Sequence, residues 1–189
     1  MKIRKKRPKL ADAHNFYKRG YYQVAATDYL SKTERVGEAE KIREALYHIS
    51  CKGIPRTQNL EYMVLKCHLI TEFALTQYIR FFSTPVIDVK DIHLTYAQKL
   101  DVAYILGFGA TDPCLIPTLE MLNKARNQVA HTFVLETAII DELLRINSED
   151  YDDFKTPSLQ ERIRGLRQIT QFICGITSGL IEARAHLEA

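Results

Sequence analysis

The chain reads as all-α, a single bundle of six or seven helices, on three grounds. Apolar residues recur at helical three/four spacing through most of the chain. Gly and Pro together number only fourteen of 189 residues, too few for a turn-rich β fold. Helix start and stop signals separate the periodic segments, and no segment alternates convincingly as a strand. A hydrophobic content of 46% and a charged content of 26% are ordinary for a globular chain. We expect residues 1–9 to form a basic flexible tail and residues 10–189 one helical domain.

The tail carries Lys2, Arg4, Lys5, Lys6, Arg7 and Lys9 and no acid. Without those six groups the remainder holds 20 basic against 23 acidic residues, so the net charge of +3 is carried by the terminus. Such an arm is either a solvated end or an attractor of nucleic-acid phosphates. No apolar segment follows it as in a secretory leader, and no apolar run approaches the roughly 20 residues of a membrane span. Cys51, Cys67, Cys114 and Cys174 are far apart and form no CxxC or Cys/His cluster. They read as reduced core thiols of a cytoplasmic chain with no membrane association.

Residues 10–31 and 35–50 form two expected helices. The first carries Phe16, Tyr17, Tyr21, Tyr22 and Tyr29, read as packing aromatics; the second stops at Gly53-Ile54-Pro55. The stretch Leu60 to Phe82 holds Leu60, Val64, Cys67, Thr71, Ala74, Tyr78 and Phe81 on one face. Leu65, Leu69 and Ile79 give it a second, which suits the middle of a bundle. Glu61, His68 and Glu72 fall within ~40° of arc, a polar stripe on that helix. After an irregular connection, a helix from about Tyr96 stops at Gly107-Phe108-Gly109. Asp112-Pro113 is a helix start, although Pro117 leaves open a start one turn later. Residues 135–146 are helical, with or without a break before them. An acidic loop follows from Glu149 to Lys155. The last helix opens at Ser158 with Glu161 spaced for a capping box, and Leu159, Ile163, Leu166, Ile173, Ile176, Leu180, Ala183 and Leu187 form its stripe.

Chemistry concentrates in Arg126-Asn127-Gln128-Val129-Ala130-His131. Leu115, Leu119, Leu122, Val129 and Phe133 make an apolar stripe with position 126 missing from its middle. A guanidinium there needs a carboxylate or an anionic ligand. Glu120, Lys124, Asn127 and His131 form the adjacent polar stripe. Asn127 and His131, one turn apart, are spaced to hydrogen-bond and so orient the imidazole. A fixed cation, an orienting amide and a group titrating near neutrality suit phosphodiester chemistry on RNA, whose 2′-OH supplies the nucleophile. Walker A, HExxH, EF-hand and GxSxG sequences are absent, and we expect neither a metal site nor a cofactor.

These six residues resemble the R-N-x-x-x-H motif of the HEPN superfamily, helical bundles that include many metal-independent endoribonucleases of toxin–antitoxin and phage-defence systems. The stretch Glu61 to Phe82 is similar to the early long helix of such domains. The segment Tyr96-Ala97-Gln98-Lys99-Leu100 to Ile105-Leu106-Gly107 is similar to the mannitol-operon-repressor branch. The resemblance covers about Leu60 to the C-terminus. It implies His131 as general acid/base, Arg126 as phosphate clamp and Asn127 as orienting residue. Glu72 or Glu61 would be the supporting carboxylate, with His68 and Lys124 beside them. It also implies a homodimer with RNA as substrate and an antitoxin or regulatory protein as partner. The other reading is architectural: Arg126 paired to Glu72 in a non-catalytic, repressor-like regulator that binds a protein or DNA.

Overall fold

The structure, a computed structural model, describes residues 32–83, 93–110, 112–149 and 154–187. The basic tail, the expected helix over 10–31 and most of the acidic loop lie outside the described residues. Within them the chain forms six helices and no strand: α1 (Lys32–Lys52), α2 (Leu60–Phe82), α3 (Tyr96–Ile105), α4 (Leu115–Thr132), α5 (Thr137–Ile146) and α6 (Leu159–Leu187). The all-α bundle expected from the periodicity is what the chain adopts. None of these helices is long and apolar enough to cross a membrane.

α2 is the central element and packs against α1, α3, α4 and α6. Its start is set by Asn59, whose side chain accepts from the Tyr62 amide, a standard N-cap. Met63, Val64, Cys67, Ala74 and Leu75 are fully buried, and each large apolar side chain so placed contributes about 1.5–3 kcal/mol of transfer free energy. The expected second apolar face is only partial. Ile79 is buried, Leu65 half-buried and Leu69 exposed, because none of the described helices covers that side of α2. Tyr78 anchors the far end of α2. Its ring stacks on Phe82 and meets Phe108 edge-on, and its hydroxyl donates to the Leu106 carbonyl at 2.9 Å.

α3 opens with a reciprocal capping box between Thr95 and Gln98. It runs in the same direction as α2, since Tyr96 bonds Thr71, Lys99 bonds Glu72 and Leu106 accepts from Tyr78. It ends where Gly107 and Gly109 take φ of 94° and 86°, left-handed values that glycine tolerates, with Phe108 buried between them. The chain then turns back, so that α4 lies antiparallel to α2.

The expected start of α4 needs correction. Asp112 does not cap the helix; its carboxylate accepts from the Cys114 amide at 2.8 Å and shapes the turn that precedes it. The helix begins at Leu115 and accommodates Pro117 in its first turn, where backbone amides have no partner to lose. The break before α5 is real, at Phe133–Glu136.

α6 opens with the expected box: the Glu161 carboxylate accepts from the Ser158 amide at 2.7 Å and hydroxyl at 2.6 Å. Those bonds hold the Glu161 carboxyl below its ordinary value. Its stripe drifts at the C-terminal end, where Ile181 and Ala185 are buried while Ala183 and Leu187 are exposed. Arg162 ties α6 to α5 through a two-pronged bond to Asp141, at 2.6 and 2.8 Å. Cys67 and Cys174 are core thiols as expected, pushed by burial up to about 11 and about 12. Cys51 is exposed and Cys114 half-buried, so these two are not core thiols.

Candidate functional site

The six-residue motif occupies the last two turns of α4, and its placement differs from the stripe read in the sequence. The core face of the helix is Leu115, Thr118, Leu119, Leu122, Ala125 and Val129. Spacings of three and four both continue a stripe from Leu122, and the smaller Ala125 takes the inward position. Arg126 is therefore exposed rather than turned into the core. Its Nη1 donates to Asn127 Oδ1 at 3.0 Å. The expected ion pair with Glu72 is absent, because Glu72 accepts from Lys99 Nζ at 2.7 Å. A desolvated carboxylate takes the cation that the fold brings within reach, and α3 delivers Lys99 to it.

Asn127 is half-buried and its oxygen is engaged by Arg126, so the expected Asn127–His131 bond is also absent. His131 is exposed one turn further on and makes no hydrogen bond among the described residues. Lys124 is exposed on the same side of α4, and Glu61 is half-buried at the start of α2, with no salt bridge among the described residues.

Behind the motif lies a buried polar cluster in which the sequence singled out His68 but not its partner Asn123. His68 on α2 is 4% exposed, bonds Asn123 of α4 through Nε2 at 3.2 Å, and stacks on the Tyr96 ring at 4.1 Å. The Thr71 hydroxyl donates to the His68 carbonyl at 3.0 Å and lies 3.1 Å from the Tyr96 hydroxyl. With the threonine proton so used, the tyrosine is the donor of that second bond. Burial lowers the His68 pKa. The Asn123 bond and the Glu72 charge act against burial, while Arg126 and Lys99 act with it. The same desolvation pushes the Tyr96 phenol up. His68, Glu72, Lys99 and Arg126 thus share one electrostatic neighbourhood, and His131 stands outside the groups that act on His68. Asn123 was findable: it lies one turn before Asn127 on the stripe that points to α2. Lys99 was not, since 27 residues separate it from its partner.

The turn after the motif is tightly tied. Phe133 closes α4 in the left-handed conformation, φ 57° and ψ 9°, its amide donating to the Val129 carbonyl. For a non-glycine residue that conformation costs about 1–2 kcal/mol. The Glu136 amide donates to the Gln128 side chain at 2.8 Å. The Thr132 hydroxyl sits 2.8 Å from the Gln128 carbonyl and 2.9 Å from that of Val134. Leu135 is buried, whereas Phe133 is 85% and Val134 65% exposed.

Among the described residues, no group of three His, Cys, Asp or Glu side chains is arranged to hold a metal ion. Compared with protein-family models, with curated proteins and with solved structures, the chain matches none.

Proposed function

We propose that the chain is a metal-independent endoribonuclease of HEPN type, acting as a homodimer in a toxin–antitoxin or phage-defence setting. The observation that carries this reading is the state of Arg126: it is exposed and, among the described residues, bonds its neighbour Asn127 and no carboxylate. The architectural alternative needs Arg126 to neutralise Glu72, and Lys99 already does so. An arginine that the fold does not consume is available to an anionic ligand.

In the reaction, the 2′-oxygen attacks the adjacent phosphorus and the bond to the 5′-oxygen breaks, leaving a 2′,3′-cyclic phosphate and a 5′-hydroxyl. One His131 accepts the 2′-OH proton, and the His131 of a second copy supplies the proton to the leaving oxygen. Arg126 offsets the charge that grows on the phosphoryl oxygens, and Asn127 holds the guanidinium in position.

The test is cleavage of RNA in excess EDTA by the wild type and by His131→Ala. Cleavage with cyclic-phosphate ends, reduced about 10²–10⁴-fold in the variant, is expected. Equal activity in the variant, or activity lost to chelation and restored by one metal, overturns the mechanism. Inactivity of a folded wild type towards all RNAs leaves the non-catalytic, repressor-like regulator as the reading.

A further inference from the structure

We propose that Phe133 is a stacking platform for a nucleobase, so that the exposed end of α4 holds single-stranded RNA by a base on the ring and a phosphate on Arg126. This rests on the ribonuclease reading for its ligand class and adds how the substrate is gripped.

Packing among the described residues gives no reason for a phenylalanine at this position. The residue that closes a helix in the left-handed conformation is ordinarily glycine or asparagine, which bear that conformation at little cost. Phe133 bears it with a full aromatic ring, and at 85% exposure the ring gains almost no burial in return. Leu135, two residues on, is the side chain this turn sends into the core. Strain combined with an exposed aromatic marks a position shaped by something other than stability.

The backbone that carries the ring is also held in place. The Phe133 amide is bonded to Val129, Gln128 bridges to the Glu136 amide, and the Thr132 hydroxyl lies between the Gln128 and Val134 carbonyls. A ligand that stacks on a ring carried by so anchored a turn orders little backbone on binding.

Position then selects the chemistry. Phe133 follows Arg126 by seven residues, about 10 Å of helical rise, a distance that one nucleotide bridges between a gripped phosphate and a neighbouring base. The free carbonyls at a helix C-terminus disfavour an anion, so a neutral base belongs there and the phosphate belongs further back, at the guanidinium. Lys124, Arg126 and His131 are exposed along the same stretch of α4. Phe133 and Val134 together are far smaller than the ~800 Å² per partner that a stable protein interface covers, whereas one ring matches one base. Bases in a duplex are already stacked on each other, so the ligand is single-stranded.

The chain has no tryptophan, so Phe133→Trp introduces a single indole reporter at the site. The full-length variant is titrated with a short, uncleavable 2′-O-methyl oligoribonucleotide, and the wild type and Phe133→Gly are titrated with the same probe. We expect the indole fluorescence to be quenched and the wild-type affinity retained. Phe133→Gly is expected to bind about ten-fold more weakly while melting at the same or a higher temperature, because glycine relieves the backbone strain. The same sequence presented as a duplex is expected to compete poorly. Wild-type affinity in Phe133→Gly, or no binding by the wild type, overturns the proposal. So does light scattering that shows Phe133→Gly to have lost an oligomeric state in step with its binding, since the ring is then a protein contact. The probe cannot be cleaved, so these results stand whether or not the wild type proves to be a nuclease.

Discussion

Arg126 donates from Nη1 to the side-chain oxygen of Asn127, its neighbour in sequence, at 3.0 Å. Adjacent residues on a helix point about 100° apart, so the guanidinium folds back along the surface of α4 to make this bond. Arg126→Ala removes no ion pair among the described residues and, the side chain being exposed, opens no cavity. Its stability is expected to stay within about 0.5 kcal/mol of the wild type, as for surface substitutions generally. RNA cleavage is expected to fall by orders of magnitude, and Arg126→Lys is not expected to restore it, since an ammonium cannot make the forked contact to a phosphate. Thermal melts and cleavage assays on the same two variants check this. A large fall in melting temperature with normal cleavage per folded molecule would remove Arg126 from the mechanism.

Lys99 and Glu72 carry the structural charge pairing that sequence reasoning assigned to Arg126. Their side chains are 16% and 29% exposed and their contact is 2.7 Å. Lys99→Met leaves the half-buried Glu72 carboxylate without its cation, at an expected cost of about 1–3 kcal/mol. The double variant Lys99→Met with Glu72→Gln removes the stranded charge as well and is expected to recover part of that loss. Urea denaturation of the two single variants and the double variant closes the cycle. Additive costs would show that the pair is not coupled.

The legible parts of this fold are those set by local rules. The extent of α2 follows from a long apolar repeat, and the opening of α6 from a serine and a glutamate three residues apart. The motif on α4 was legible as a run of residue types, but its orientation was not. Whether Ala125 or Arg126 faces α2 is a choice between spacings of three and four, and only the packing of the bundle decides it. The same limit hid Lys99, which reaches Glu72 solely because α3 runs alongside α2. His68 was legible as one member of a polar stripe, yet its burial against Tyr96 and Asn123 depends on two other helices.

That burial makes His68 a source of pH-dependent stability. Desolvation lowers its pKa in the folded chain, assisted by Arg126 and Lys99 and opposed by the Asn123 bond and Glu72; Tyr96 and Thr71, which complete its surroundings, carry no charge at neutral pH. The unfolded chain therefore binds a proton at a pH where the folded chain does not, starting near the ordinary value of 6.5. The contribution from the neutral folded imidazole is fully present above 6.5. It is lost as the pH falls from there towards the lower folded value, below which the loss stops growing. His68→Gln keeps a hydrogen-bonding amide opposite Asn123 but cannot titrate. We expect the wild type to lose melting temperature more steeply than His68→Gln between pH 7 and about pH 5, and the two curves to run parallel above pH 7. Melting curves over that range check it. A constant difference between the two proteins at every pH would show that the imidazole stays neutral, or stays charged, in both folded and unfolded chains.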